Sequence, residues 1–124
     1  MSPPAQYPGA LAAAGADAGG AASAGAAQAD VRRRYIDGRF GQMHLRIAGP
    51  PQQGAKRPLL CFHLSPVSGA IYTRFLGEMG RDRLAVAPDT PGYGASDPPR
   101  EPPEIRDYAA AMGDVMDVLG IAEA

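Results

Sequence analysis

Apolar and polar positions change rhythm several times along the chain, and each change marks an element. In residues 31–48 the runs Arg34-Tyr35-Ile36-Asp37 and Met43-His44-Leu45-Arg46-Ile47-Ala48 partly alternate, as half-buried strands do, and Asp37-Gly38 between them is a turn signal. This predicts a β-hairpin with Leu45 and Ile47 inward. His44 falls on the exposed side of the alternation, a surface strand residue with no acid–base partner in view. Leu59-Leu60-Cys61-Phe62, ending at His63, is instead unbroken, which suits a strand buried on both faces of a sheet. Turn residues from Leu64 through Ser65, Pro66, Val67 and Ser68 to Gly69 interrupt it. From Ala70 the apolar positions Ile71, Phe75, Leu76 and Met79 recur at helical spacing, and Gly80 stands where a C-terminal cap belongs. Leu84-Ala85-Val86-Ala87 is a second short apolar run, closed by a loop rich in Pro and Gly that ends at Asp97. Beyond it Pro103 sits near the first turn of a last helix. Ile105, Tyr108, Met112, Val115, Met116 and Leu119 make its apolar stripe and Gly120 closes it, with Met112 and Met116 as core fillers.

Two buried-type strands joined by a helix form a βαβ unit, so the sheet is expected to be parallel there, with a right-handed crossover. The fold class that follows is α/β: an N-terminal β-hairpin followed by a parallel βαβα. Residues 1–30 contain Ala, Gly and Pro with almost no large apolar side chains. Such a segment cannot bury enough area to offset chain entropy, so a disordered tail is expected over 1–30 and the folded unit over 31–124.

Composition narrows the function classes. With 124 residues and a net charge of −1, the chain is one small domain with no reason to bind nucleic acid or an anionic membrane. Arg32-Arg33-Arg34 is too short a basic run to change this and reads as a solvated strand end. The single cysteine, Cys61, excludes an intramolecular disulfide and fits a small buried hydrophobe in a reducing compartment. No apolar run approaches the roughly 20 residues that span a bilayer. The N-terminus also lacks a basic n-region and a Leu-rich h-region, so a cytoplasmic location is expected. Gly49, Gly54 and Lys56 approach a phosphate-binding loop, but Ala55 holds the lysine position. Gly92 and Gly94 approach a dinucleotide fingerprint, but Asp97 replaces its last glycine and prolines follow instead of a helix. No metal cluster or cofactor motif is present, so none is implied.

The residues from His63 to Ser96 carry a resemblance. An apolar strand closed by His63, a Ser/Pro/Gly loop, a helix and then Asp89, Gly92, Gly94 and Ser96 in D-x-x-G-x-G-x-S spacing resemble the N-terminal part of the α/β-hydrolase fold family. The resemblance covers residues 31–120 and departs from the family at Leu64, where glycine is usual. It implies that the loop after this strand donates one backbone N–H to an oxyanion hole, by position that of Leu64 or Ser65, with Ser65 favoured. It further implies that His63 shapes the loop rather than shuttling protons. Asp89 and Ser96 then bond loop amides, and Gly92 and Gly94 permit tight turns. Ser65 and Ser68 themselves read as loop and helix-capping residues.

The nucleophile elbow G-x-S-x-G of such enzymes follows the next helix, and neither it nor a credible acid–His pair occurs in these residues. Ser96 lacks the surroundings of a nucleophile. The expectation is therefore the N-terminal portion of a hydrolase of small molecules carrying ester-type or related bonds, inactive alone, with its triad beyond these residues. The alternative is a non-catalytic half-domain that binds a partner through an open sheet edge. In the resembled fold the strand at 59–63 is central, with 84–87 on one side. Its other edge, left unpaired, predicts self-association and low solubility.

Overall fold

The computed structural model describes residues 27–50 and 56–124. Strands β1 (Arg32–Gly38) and β2 (Gly41–Ala48) form the expected antiparallel hairpin. The reversal lies at Arg39 and Phe40, not at Asp37-Gly38, which still pair with Gln42 and Gly41. Two local forces move it. Gly41 takes φ +118°, open to glycine, and the Arg39 N–H and guanidinium are both held by Asp114 at 2.8–2.9 Å.

Strand β3 (Leu59–Leu60) pairs in parallel with β4 (Ala85–Pro88), and β4 pairs antiparallel with β2, giving the sheet order β1-β2-β4-β3. The expected strand over 59–63 is thus shorter and half-buried. The Cys61 N–H adds one more bond to Val86 O at 2.8 Å, after which Phe62 turns out to solvent. Among the described residues β3 has a neighbour on one side only, so it is the edge of this sheet rather than its centre.

Alternation along β4 sorts the core. Val86 faces one side with Ile36, Met43 and Leu45, and there helix α2 (Ile105–Leu119) packs Ala111 and Val115. Met112 and Met116 pack half-buried against this cluster as expected, whereas Ile105 is 83% exposed, so the stripe engages one turn later. The Glu104 N–H donates to the Asp107 carboxylate at 2.8 Å, and Gly120 ends the helix at φ +67°.

Ala85 and Ala87 face the other side with Ala48, Cys61 and Leu76. Small side chains here let the chain after β3 come close. It enters as a 3-10 turn (Gly69–Tyr72), with the Ser68 hydroxyl accepting the Ala70 N–H, and continues as α1 (Thr73–Met79). The face turned to the sheet is Tyr72, Leu76 and Met79, while Ile71 and Phe75 are exposed, contrary to the periodicity. Fully burying Leu76 contributes about 1.5–3 kcal/mol. Gly80 caps α1 at φ −65°, so it serves close packing rather than a left-handed turn: a Cβ there would lie 2.7 Å from the Ala48 Cβ.

The expected disordered tail lies outside the described residues over 1–26. Its last residues do not belong to it. The Ala29 N–H donates to Gly77 O at 2.9 Å and the Gln28 amide to Glu78 at 2.6 Å, so the chain docks on α1 before β1 begins.

Candidate functional site

The loops leaving β3 and β4 meet at the carboxyl ends of the parallel pair, where open α/β sheets gather ligands. His63 joins them. Its Nε2 accepts the Thr90 N–H at 3.0 Å, so the ring proton sits on Nδ1 and donates to Leu64 O at 2.9 Å. With both nitrogens bonded to backbone, His63 fixes the loop and has no lone pair left for proton transfer. The Tyr93 ring packs edge-on against it, centroids 5.7 Å apart, and the Tyr93 hydroxyl lies 3.2 Å from Ser65 Oγ.

Leu64 is 66% exposed and Ser65 is exposed. No residue other than glycine has a positive φ among the described residues, so Leu64 occupies the usual glycine position without backbone strain. The N–H groups of Leu64 and Ser65 meet no acceptor among the described residues.

Beneath this loop lies Asp89, buried at 1% exposure. Its Oδ1 accepts the Gly69 N–H at 2.8 Å; its Oδ2 accepts the Ala95 N–H and the His44 Nδ1–H, both at 3.0 Å. The Arg46 guanidinium stands 3.8 Å from Oδ1. Burial pushes the Asp89 carboxyl up, but the Ala95 and Gly69 amides together with His44 outweigh it and hold the group below the ordinary carboxylate range. The Ser96 hydroxyl donates to Asp89 O at 2.7 Å and accepts the His44 N–H at 3.0 Å. Asp89 therefore bonds loop amides as anticipated, whereas Ser96 bonds an amide of strand β2 and the carbonyl of Asp89.

His44 departs from expectation. It is buried at 5% exposure and paired, not a surface residue. The alternation assumed one face of β2 in water, but both are covered: Met43 and Leu45 pack in the cluster with α2, and Ala48 on the opposite face packs in the cluster with Leu76 of α1. His44 therefore faces the same side as Ala48 and sits across from Asp89, whose N–H donates to His44 O at 2.8 Å. The signal that could have found it is the acid closing an apolar strand, since a buried carboxylate needs donors and a histidine in a neighbouring strand can supply one. Cys61 is buried as expected, and burial raises its thiol pKa. Among the described residues no group of three or more His, Cys, Asp or Glu could hold a metal ion, and no helix is long and apolar enough to cross a membrane.

A sheet with antiparallel strands leading into a parallel pair, and a site at the carboxyl ends of that pair, defines the class as α/β. Solved structures sharpen it. An N-acyl homoserine lactonase, AidH, complexed with N-butanoyl homoserine is 35% identical, superposes with a TM-score of 0.64 and covers 75% of this chain and 34% of its own. Haloalkane dehalogenase DbeA from Bradyrhizobium elkani is 26% identical at a TM-score of 0.66, covering 75% of this chain and 31% of its own. Epoxide hydrolase CorEH, at 21% identity and a TM-score of 0.64, shares the fold. No family model and no curated protein matches the chain. The described residues have the fold of the N-terminal part of the α/β-hydrolase family. The chain spans about a third of the length of these structures.

Proposed function

We propose that residues 31–124 are the N-terminal part of an α/β-hydrolase-fold hydrolase that cleaves ester-type bonds in small molecules. The backbone N–H of Ser65, or that of its neighbour Leu64, is one oxyanion donor. What carries this reading is the pair of N–H groups without an acceptor in a loop held at His63 on one side and at Gly69 on the other. A donor held ready for developing negative charge lowers an acyl-transfer barrier by about 2.7–4 kcal/mol.

The nucleophile, acid and general base belong to residues outside these. The chain has two histidines; both His63 nitrogens are bonded to backbone groups and His44 is buried on Asp89. The 124 residues alone are thus expected to be inactive. Lactones are the substrate class to try first, because complexes of a lactonase with N-acyl homoserine ligands are among the matches at 33–35% identity. One buried cysteine fits a cytoplasmic protein. A second reading, a non-catalytic half-domain that binds a partner by strand addition, is favoured by the one-sided pairing of β3.

The test is pH-stat hydrolysis of N-acyl homoserine lactones and aryl esters by the native protein that carries these residues, beside the 124-residue chain. Saturable turnover by the native protein with none by the chain is expected. Turnover by the purified chain would remove the triad assignment. A native protein that hydrolyses no ester would leave the partner-binding reading.

A further inference from the structure

The loop carrying the proposed donors is held near its start by His63 on Leu64 O and by the Ser65–Tyr93 hydroxyl contact. Leu64, Ser65 and Pro66 are exposed, and between His63 and the Ser68 cap its one backbone bond is from the Val67 N–H to Leu64 O at 3.2 Å. At the far end the loop is tied down by a single buried contact, the Gly69 N–H on Asp89 Oδ1 at 2.8 Å. The other carboxylate oxygen is taken by Ala95 and by His44, so the two oxygens face different loops and His44 sets which way the carboxylate is turned.

Glycines make this approach feasible on both sides. A Cβ on Gly69 would lie 2.6 Å from Ala87 O and 3.1 Å from Asp89 Oδ1, and one on Gly94 would lie 2.1 Å from Asp89 Oδ2. Two loops distant in sequence have thus each given up a side chain to close on the same carboxylate. Among the described residues His44, Arg46 and the two amides are the polar groups that face it, while the Ser96 hydroxyl donates to the Asp89 backbone carbonyl.

We propose that Asp89, oriented by His44, is the positioning residue of the oxyanion loop: it sets where the Ser65 and Leu64 N–H groups stand without touching the reacting atoms. The catalytic meaning of this position rests on the hydrolase reading; the geometry does not.

Amide hydrogen exchange by NMR on the 124-residue chain tests the geometry. In Asp89→Ala, which removes both acceptor oxygens, exchange at Gly69 and at Ala95 should each quicken by about tenfold, the loss of one buried hydrogen bond apiece, with the Leu64 and Ser65 resonances broadened and Val115 in α2 unchanged. Unaltered exchange at Gly69 overturns the proposal. Should Asp89→Ala fail to fold, His44→Leu and His44→Asn decide. Leucine should quicken Gly69 exchange and asparagine, whose amide nitrogen sits where Nδ1 does and can still donate to Asp89, should restore it; equal exchange in both overturns the proposal. In the native protein the positioning variants should lower kcat about tenfold with KM unchanged, since the donors act on the transition state. Hydrolysis with kcat intact removes the positioning role and leaves the hydrolase reading standing. Loss of Gly69 protection in a native protein that hydrolyses nothing upholds the positioning and removes the hydrolase reading.

Discussion

Gly94 and Gly113 are the same residue under opposite demands. Gly94 has φ +53° and would place a Cβ 2.1 Å from a buried carboxylate oxygen, whereas Gly113 lies within α2 with nothing inside 4 Å. Gly94→Ala should therefore cost at least about 2 kcal/mol, combining left-handed strain with displacement of Asp89. Gly113→Ala should stabilise by about 0.5–1 kcal/mol, because alanine loses less backbone entropy in a helix. Urea unfolding of both variants checks the sign as well as the size. The resemblance singled out Gly94 and Asp89, whose motif is local in sequence. It missed His44, because burial of a polar strand residue depends on which strand lies next to it, and that neighbour arrives only at Asp89.

At the scale of elements, the sequence showed which segments become strand and helix more clearly than which faces they bury. The first helix was expected to turn Ile71 and Phe75 inward, yet the 3-10 entry and the close approach of Gly69 to Ala87 O shift its phase to Tyr72 and Leu76. The hairpin turn moved for a comparable reason: Asp114, on a helix far along the chain, captures Arg39. That pair yields a pH signature. Arg39 holds the Asp114 carboxyl below the ordinary carboxylate range. A depressed pKa stabilises the fold above the unfolded value near 3.9, and the stabilisation fades as pH falls through the folded value. The pair is partly exposed, so its worth is modest. Asp114→Asn should lower Tm by about 3 °C at neutral pH, and the difference from the parent chain should close in acid below pH ~4, as followed by circular dichroism.

For the whole molecule, element order and parallel pairing were legible, because the apolar runs and their turn residues are local. So was an unpaired outer edge of the strand at 59–63, whereas its shortening to Leu59–Leu60 was not, since Phe62 turns out to solvent. Among the described residues the outer side of β3 has no pairing strand, and Phe62, Leu64, Ile71 and Phe75 are exposed on the segment that follows it. Light scattering of the 124-residue chain should show association that grows with concentration and weakens in Phe62→Lys, a charge placed at the edge. A monodisperse monomer at all concentrations would contradict this. The Asp89 carboxylate, finally, binds the order in which the molecule can fold to the readiness of its site. Its partners lie 6, 20 and 45 residues away at Ala95, Gly69 and His44. Until hairpin, turn and strand have all come together, the carboxylate lacks one of these partners, and His44 closes the longest of the three loops. The loop from Leu64 to Gly69 is thereby tied to the same long-range pairing that holds the sheet beneath it.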